Sequence, residues 1–472
     1  MRSSSSSRLR TGNGRLAAVA VAALVLAACT SDPQATDTPA TQDRPAQDLA
    51  TDMPVLVAST EAGDVAIDGA SGALLAGGPG TVATPDGDTM YRASVVNGHT
   101  VVTTLDARTG ATTTSTRLRG DLELAIASVS GSKLALVQPA PGATSGSLPG
   151  LPVPRAWTPI VVADPSGETS PARFKLEGNF EPEAFSIDDG RLFLIQYLPA
   201  EAPAVYRVTV LDTATGVVRP VTGRFKAPPE RMPGVRLGQV YDPQTSQMYT
   251  LYSNQPGAYA QGYEHAGGAS HDWPAETFVH VLNLRKGWAY CAGVPKEMWG
   301  GTARDQALAP SPDGKWLYIV DSRGGTIAVM NTHTLGIERT GQLDLADTAA
   351  GPADASSDPA SIVRTSIAVS RDGATLFVAS GASPGTVSAI DIADLTLADR
   401  WPSPVPVSGL GLSLDGSALY VAGAGRIALF DLVTGQTSAT VPTPVLDPIV
   451  ELDPLPPGDL TAAGLAATGL AE

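Results

Sequence analysis

Metal-ligating side chains are concentrated in one stretch of the chain, 253–280. His265, His271 and His280, three of the five histidines, lie within 16 positions of one another, and Asp272 lies among them. Imidazole and carboxylate groups suit a transition metal, so these four residues form a candidate site for a divalent metal. Their spacing matches no established ligand pattern, and an ordinary strand position is the alternative interpretation of His280.

The same stretch carries aromatic side chains, Tyr259, Tyr263 and Trp273. Rings of this kind on a loop can hold an organic ligand, because they bury a large apolar area and keep a polar edge. The stretch therefore has three interpretations: a metal site, an aromatic loop that holds a ligand, and a loop with a structural role alone. No cofactor other than the possible divalent metal is expected.

Cations gather in a second stretch, 222–237, although the chain as a whole is acidic, with a net charge of −16. The candidate ligand-binding residues here are Arg224, Lys226, Arg231 and Arg236, joined by Trp299 from a later connection. Such a patch would attract carboxylates or phosphates of a cell-envelope polymer; the alternative is a solvated loop. The overall acidity excludes nucleic acid as a partner, since affinity for its phosphates requires a surplus of Lys and Arg.

The start of the chain has the pattern of a sorting signal. Four arginines precede an apolar run, Leu16–Ala28, that is too short for a permanent membrane helix. Leu26-Ala27-Ala28-Cys29 resembles the lipobox of bacterial lipoproteins, and a chance cysteine behind a generic signal peptide is the alternative. The resemblance implies that residues 1–28 are removed, that Cys29 carries lipid such as palmitate, and that the protein is anchored to the extracytoplasmic face of the cell membrane.

The segments that flank the expected domain have little to bury. Residues 29–53 are rich in Thr, Asp, Pro, Gln and Ala and are expected to form a disordered tether. Residues 453–472 are expected to form a flexible tail. The composition, rich in Ala, Gly, Pro and Thr, resembles that of actinobacterial proteins. The folded domain is thus expected at 54–452.

Three segments of the C-terminal half can be superposed as repeats, starting at Ser311, Ser370 and Ser413. Each contains Asp-Gly, an apolar strand with Leu-Tyr or Leu-Phe, a turn, and a second β-rich strand. Asp-Gly favours a tight turn between antiparallel strands. The segments LYIVDS, LFVASG and LYVAGA resemble the YVTN-type, WD40-like β-propeller repeat, which implies a propeller fold and an extracytoplasmic location and leaves the chemistry open.

A second turn, with the sequence Asp-x-x-Thr-Gly or a close variant, recurs along the whole domain. The number of these turns gives the number of repeats. They are found at Asp68–Gly72, Asp106–Gly110, Asp164–Gly167, Asp212–Gly216, Asn283–Gly287, Asn331–Leu335, Asp391–Leu395 and Asp431–Gly435. The mean interval of about 52 residues is close to the 40–50 of a four-stranded blade. The expected fold is all-β: one propeller of eight four-stranded antiparallel blades, with seven as the alternative. The segment 445–452 would supply the innermost strand of the first blade and close the ring.

The topology of such blades divides the turns between two faces of the disc. Turns from the first to the second strand and from the third to the fourth form what we call the short-turn face. Connections from the second to the third strand and between blades form the long-connection face. The four longest connections, 138–157, 222–237, 253–276 and 341–362, are all expected on the latter, although neutral insertion is an alternative for them.

Two functions follow from this arrangement. The first is a non-catalytic binding or scaffold module that presents the long-connection face to a protein or glycan of the cell envelope. The second is an extracytoplasmic propeller enzyme, lactonase-like or dependent on a metal or cofactor, with Glu123, Glu183, Asp305 and Arg364 lining the channel mouth. Zincin and nucleotide phosphate-loop motifs are absent from the chain, and polar channel residues are also what a wet channel requires.

Overall fold

The computed structural model describes residues 54–60, 62–140, 153–226, 231–232, 234–253, 277–299, 304–345, 363–381, 385–445 and 449–455. All of them belong to one compact unit of the chain, Asp48–Glu472. Within these ranges the secondary structure consists of β-strands and one short 3-10 helix, Lys296–Met298, and no helix is long and apolar enough to cross a membrane.

The strands form eight sheets, blades I to VIII, each built on four antiparallel strands. The strands of the first half are β1 (Val55–Thr60), β2 (Asp64–Asp68) and β3 (Leu74–Gly77) in blade I; β4 (Thr81–Ala83), β5 (Thr89–Val96), β6 (His99–Asp106) and β7 (Thr112–Arg119) in blade II; β8 (Glu123–Ala127), β9 (Leu134–Val137), β10 (Trp157–Ala163) and β11 (Ala172–Glu177) in blade III; and β12 (Asn179–Phe185), β13 (Arg191–Leu198), β14 (Val205–Asp212) and β15 (Val218–Pro220) in blade IV.

The second half continues the series. Its strands are β16 (Thr222–Gly223), β17 (Val235–Asp242), β18 (Gln247–Ser253), β19 (Thr277–Asn283) and β20 (Trp288–Gly293) in blade V; β21 (Gln306–Pro310), β22 (Trp316–Asp321), β23 (Thr326–Asn331) and β24 (Ile337–Gln342) in blade VI; β25 (Ser366–Val369), β26 (Thr375–Ser380), β27 (Gly385–Asp391) and β28 (Thr396–Ser403) in blade VII; β29 (Gly409–Leu412), β30 (Ala418–Gly423), β31 (Arg426–Asp431) and β32 (Gln436–Pro442) in blade VIII; and β33 (Ile449–Pro454), which completes blade I. The prediction of eight blades is confirmed.

The core lies between neighbouring blades, because both faces of each sheet are covered. The middle strands are therefore apolar throughout: all seven residues of β18 and of β19 are buried. Outermost strands alternate instead, as in β24, where exposed and half-buried residues follow one another. This gradient from apolar middle strands to polar outer strands is what stacked sheets with one solvated edge require.

The Asp-Gly turns predicted from the repeats are present, and a serine explains their regularity. In blade VI the Ser311 hydroxyl donates to Asp313 Oδ1 at 2.7 Å and accepts the amide of Trp316 at 2.9 Å. The same pair of bonds recurs at Ser370 and at Ser413. Since a serine and an aspartate two positions later satisfy the turn's own polar groups, each repeat makes its first hairpin locally.

The ring is closed by the last strand, as predicted. β33 pairs with β1 in antiparallel register, from Leu56 opposite Pro454 to Thr60 opposite Ile449, so that the chain end supplies the innermost strand of blade I. Blade VIII packs closely against it: a Cβ atom at Gly411 would lie 2.0 Å from the Leu452 carbonyl oxygen. Only a glycine permits this approach.

The strand order places three of the four longest connections on the long-connection face. They join β9 to β10, β18 to β19 and β24 to β25, which are second-to-third or between-blade connections. The residues of the connection 253–276 that were expected to hold metal or ligand lie outside the described residues, namely Tyr259, Tyr263, His265, His271, Asp272 and Trp273.

The fourth connection, 222–237, takes a different course from the one expected. β15 ends at Pro220 after three residues, one further hydrogen bond joins the Val221 amide to the Val208 carbonyl, and the chain then crosses to the outer edge of blade V. There β16 pairs in parallel with β20, with Thr222 opposite Trp288. Because Trp288 directly follows the turn Asn283–Gly287, β16 lies near the short-turn face. The connection therefore begins near that face rather than near the long-connection face.

Candidate functional site at the channel mouth

The innermost strands surround a central cavity of about 720 Å³, and its charged lining residues are Arg236, Arg364, Glu451 and Asp453. The cavity is bounded by the first strands of blades V to VIII together with β33. Two groups of charges stand out: a carboxylate–arginine network between blades IV and V, and a pair of carboxyl groups on β33.

The network is centred on Arg236, at the end of β17 that lies toward the long-connection face. Its Nη2 is 3.4 Å from Glu181 Oε1, and its Nη1 is 3.6 Å from Glu183 Oε2. Glu183 also accepts from Gln239 Nε2 at 2.6 Å, while the Tyr197 hydroxyl donates to Glu181 Oε2 at 2.5 Å. Both carboxylates are therefore held in place by neighbouring side chains.

Two β-bulges make this network possible. Glu183 lies between Pro182 and Ala184, where the pairing of β12 with β13 gains one residue, and β17 has a similar shift between Arg236 and Gly238. Residues three apart normally point to opposite sides of a strand. The extra residue in β17 lets Arg236 and Gln239 contact the same carboxylate.

The ionisation of the network follows from the unequal exposure of its members. The side chain of Arg236 is 44% exposed and that of Glu183 only 4%. Burial opposes the charge of Arg236, but Glu183 and Glu181 together outweigh it and raise its pKa. For Glu183, burial is the larger effect and raises its pKa in spite of Arg236. The pair thus stabilises the cation, while burial raises the pKa of the deeper carboxyl group, that of Glu183.

Arg155 and Asn179 join the two ends of the connection 138–157 to the start of β12, next to this network. Arg155 donates to Asn179 Oδ1, to the Gln138 carbonyl and to the Phe180 carbonyl at 3.0–3.3 Å. Asn179 is fully buried and donates to the Val153 carbonyl at 3.1 Å. Neither residue was singled out from the sequence, where no repeat or motif marks them.

The second group of charges lies on the strand that closes the ring. Glu451 and Asp453 are two residues apart and so share one side of β33, while Leu452 between them is buried. Both carboxyl groups reach the solvent of the cavity, yet protein surrounds them on the other sides. This burial, with Asp453 and then Asp64 nearby, raises the pKa of Glu451 to about 8, and burial raises that of Asp453.

The four channel residues expected from the sequence are only partly brought together. Glu183 belongs to the network and Arg364 lines the cavity. Asp305 is buried just before β21, and Glu123 is exposed at the start of β8. Glu451 and Asp453 were missed. Glu451 lay in the predicted closing segment 445–452, but Asp453 was assigned to the tail, whereas β33 continues to Pro454; the alternation of Glu451, Leu452 and Asp453 was the signal that could have identified both.

His280 occupies an interior position of β19. It is 3% exposed, its ring meets that of Tyr252 edge-on at 6.4 Å, and its Nε2 has no hydrogen-bond partner among the described residues. Burial lowers its pKa to about 4, so that the imidazole is neutral at pH 7. The described residues contain no cluster of three or more His, Cys, Asp or Glu side chains that could hold a metal.

The cations of the connection 222–237 do not share one face. Arg236 points into the channel, Arg231 is exposed, and Arg224 and Lys226 lie over Trp288 and Tyr290, at 4.6 and 5.5 Å from the ring centroids, on the outer edge of blade V. The reason is the early end of β15 described above.

Trp299 packs against the core between blades V and VI. Its indole nitrogen donates to the Val294 carbonyl at 3.2 Å. The ring is half-buried, and Lys296 Nζ lies 5.7 Å from its centroid. The indole thus connects the short helix Lys296–Met298 to the core.

No protein-family model and no curated protein sequence matches the chain. Among solved structures, it is similar to apo AztD from Citrobacter koseri, with 12% identity and a TM-score of 0.47 over 85% of this chain and 97% of that one. It is also similar to the dihydro-heme d1 dehydrogenase NirN in complex with DHE, with 13% identity and a TM-score of 0.42 over 77% and 65% of the two chains. A putative 6-phosphogluconolactonase from Bacteroides fragilis gives 13% identity and a TM-score of 0.38 over 85% and 98%. The β-propeller assignment rests on the eight blades described above.

Proposed function

We propose that this chain is a lipoprotein anchored to the extracytoplasmic face of the cell membrane through Cys29, and that its propeller is a non-catalytic binding module. Its partner is a protein or glycan of the cell envelope, which contacts the long-connection face around the channel mouth.

One observation carries this proposal: the network of Glu181, Glu183 and Arg236 opens on the same face as three of the four longest connections. The carboxylates are held by Arg236, Gln239 and Tyr197, so the mouth presents a fixed pattern of charges. Fixed polar groups favour selective recognition, because they need little ordering when a partner binds.

The test is photo-crosslinking in intact cells from one position on each face. Trp157, 45% exposed at the start of β10, lies on the long-connection face, and Val433, 89% exposed in the turn between β31 and β32, lies on the short-turn face. A photoreactive amino acid at Trp157 is expected to capture one defined species, and the same amino acid at Val433 is not.

Two further results decide the case. Reversing the central charge with Arg236→Glu should abolish capture from Trp157, and digestion of the adduct by a protease or by a glycan hydrolase identifies the class of partner. Equal capture from both positions, or capture that survives Arg236→Glu, would contradict the proposal.

A second candidate function is supported by the pair on β33. A carboxyl group with a pKa of about 8 beside a second carboxyl group, as at Glu451 and Asp453, has the properties of a general acid. This observation favours an extracytoplasmic enzyme, lactonase-like or dependent on a metal or cofactor, with its site in the channel. Turnover of a lactone by the purified protein, lost in Glu451→Gln, would favour it over the binding module.

A further inference from the structure

A smaller cavity, of about 260 Å³, opens on the short-turn face between blades V and VI. It is formed by the turn after β17, by the turns Asn283–Gly287 and Asn331–Leu335, and by the chain just after β16. Its charged and aromatic lining residues are Arg224, Arg285, Lys286, Trp288 and His333. The volume holds several water-sized groups, and every lining residue is among the described ones.

The charge of this cavity is opposite to that of the protein. Three cations line it and no Asp or Glu does, although the chain has 47 acidic and only 31 basic residues. Within the described residues, Arg224, Arg285 and Lys286 take part in none of the ion pairs within 4.0 Å. Asp242 is buried next to the cavity and does not line it; its carboxylate accepts the hydroxyl of the lining residue Thr245 at 2.6 Å.

The cations are positioned by the fold. The Arg224 guanidinium lies 4.6 Å from the Trp288 ring centroid, and its amide donates to the Ala289 carbonyl at 3.2 Å. Arg285 Nη2 donates to Ser246 Oγ at 3.3 Å, and the amide of Lys286 donates to Asn283 Oδ1 at 2.7 Å. Like charges gathered in one cavity repel one another, so an anion bound between them would be stabilised.

We propose that this cavity binds the phosphate group of a small phosphorylated molecule. Guanidinium groups match the geometry of phosphate oxygens and donate two hydrogen bonds in parallel, while an ammonium group acts as a point charge. Because several cations face the same space, a phosphate group with two negative charges should bind more tightly than a carboxylate group with one. The cavity lies on the face opposite the channel mouth, so this proposal goes beyond the proposed function and does not depend on it.

The experiment is calorimetric titration of the full-length protein in detergent with inorganic phosphate at low ionic strength. One phosphate per chain is expected for the wild type. Lys286→Ala and Arg285→Ala, both at exposed turn positions, should weaken binding about ten-fold or more, since a charge-assisted hydrogen bond is lost. Arg224→Ala should do the same, and thermal melting shows whether each variant remains folded.

Lys315→Ala is the matched control, because it removes a cation from the same face that is already paired with Asp313 at 2.8 Å. It should leave phosphate binding unchanged. Absence of saturable binding to the wild type, equal loss in Lys315→Ala, or acetate binding as tight as phosphate would overturn the proposal. None of these results bears on crosslinking from Trp157, so the two proposals fail independently.

Discussion

At the scale of single residues, the carboxyl groups of the channel have the most unusual environment. Glu451 is placed by strand alternation on the same side as Asp453, and Asp64 of blade I also lies close enough to affect it. Three carboxyl groups around one space cannot all be ionised without cost. The protonated form of Glu451 is therefore favoured in the folded protein.

This environment predicts a pH-dependent stability. The pKa of Glu451 rises from 4.5 to about 8 on folding, so between these values the folded state binds more protons than the unfolded state. Stability should consequently fall as pH rises from about 4.5 to 8 and then level off. In Glu451→Gln this decline should be shallower, though not absent, because the pKa values of Asp453 and Asp64 are raised as well.

The measurement is the melting temperature of the wild type and Glu451→Gln between pH 5 and pH 9. Glu201→Gln, at an exposed glutamate in the turn between β13 and β14, is the control and should keep the wild-type slope. If Glu451→Gln follows the same slope as Glu201→Gln, then the channel does not hold Glu451 in its neutral form.

At the scale of elements, the ring depends on how closely its first and last blades approach. The first hairpins of blades VI, VII and VIII are made locally by their Ser-x-Asp-Gly turns, but the pairing of β1 with β33 joins the two ends of the domain. Long-range pairing of this kind is paid for by the loss of chain entropy, so it requires good packing on both sides of β33. Blade VIII provides one of these sides, at Gly409 and Gly411.

Gly411→Ala should therefore weaken the closure of the ring. The added Cβ would lie 2.0 Å from the Leu452 carbonyl oxygen, and displacing backbone in a packed interface costs roughly 1–3 kcal/mol or more. Urea unfolding measures this loss. Gly293→Ala is the control: it too lies in a strand, its Cβ would meet nothing within 4 Å, and its effect should stay within about 0.5 kcal/mol. Equal stability of the two variants would show that β33 can shift without cost.

At the scale of the whole molecule, the two cysteines are expected to play different roles. Cys29 follows the apolar run and is the proposed site of lipid attachment. Cys291 is free and half-buried in β20, and burial raises the pKa of its thiol to about 12. A thiol that stays protonated is a poor nucleophile, so Cys291 is not expected to be modified.

Cys29→Ala should lack the mass of the lipid, because the sulfur atom to which the lipid is attached is removed. Cys291→Ala should remain in the membrane fraction with its lipid. Fractionation and mass spectrometry of the mature protein measure both. A lipid adduct still present on Cys29→Ala would disprove lipid attachment at this position.

The sequence by itself determined the architecture of the domain. The features that define each blade are local in the sequence. They are the Asp-Gly turns, the apolar strands, and the second turns that recur from Asp68–Gly72 to Asp431–Gly435. Each turn specifies the hairpin formed by the two strands beside it. Counting them predicted eight blades, and the lack of an innermost strand beside the first turn predicted closure by the chain end. Strand order then fixed the two faces, because the parity of turns does not depend on any side chain.

Only the tertiary structure decided which charged residues meet. A single extra residue in β17 turns Arg236 and Gln239 toward Glu183, and the early end of β15 at Pro220 carries Arg224 to the short-turn face beside Arg285 and Lys286. Bulges and strand ends depend on the packing of neighbouring blades. The periodicity of apolar residues along the chain indicates which positions are buried. Contacts between side chains of different blades depend instead on register shifts of one residue, and such shifts leave this periodicity almost unchanged.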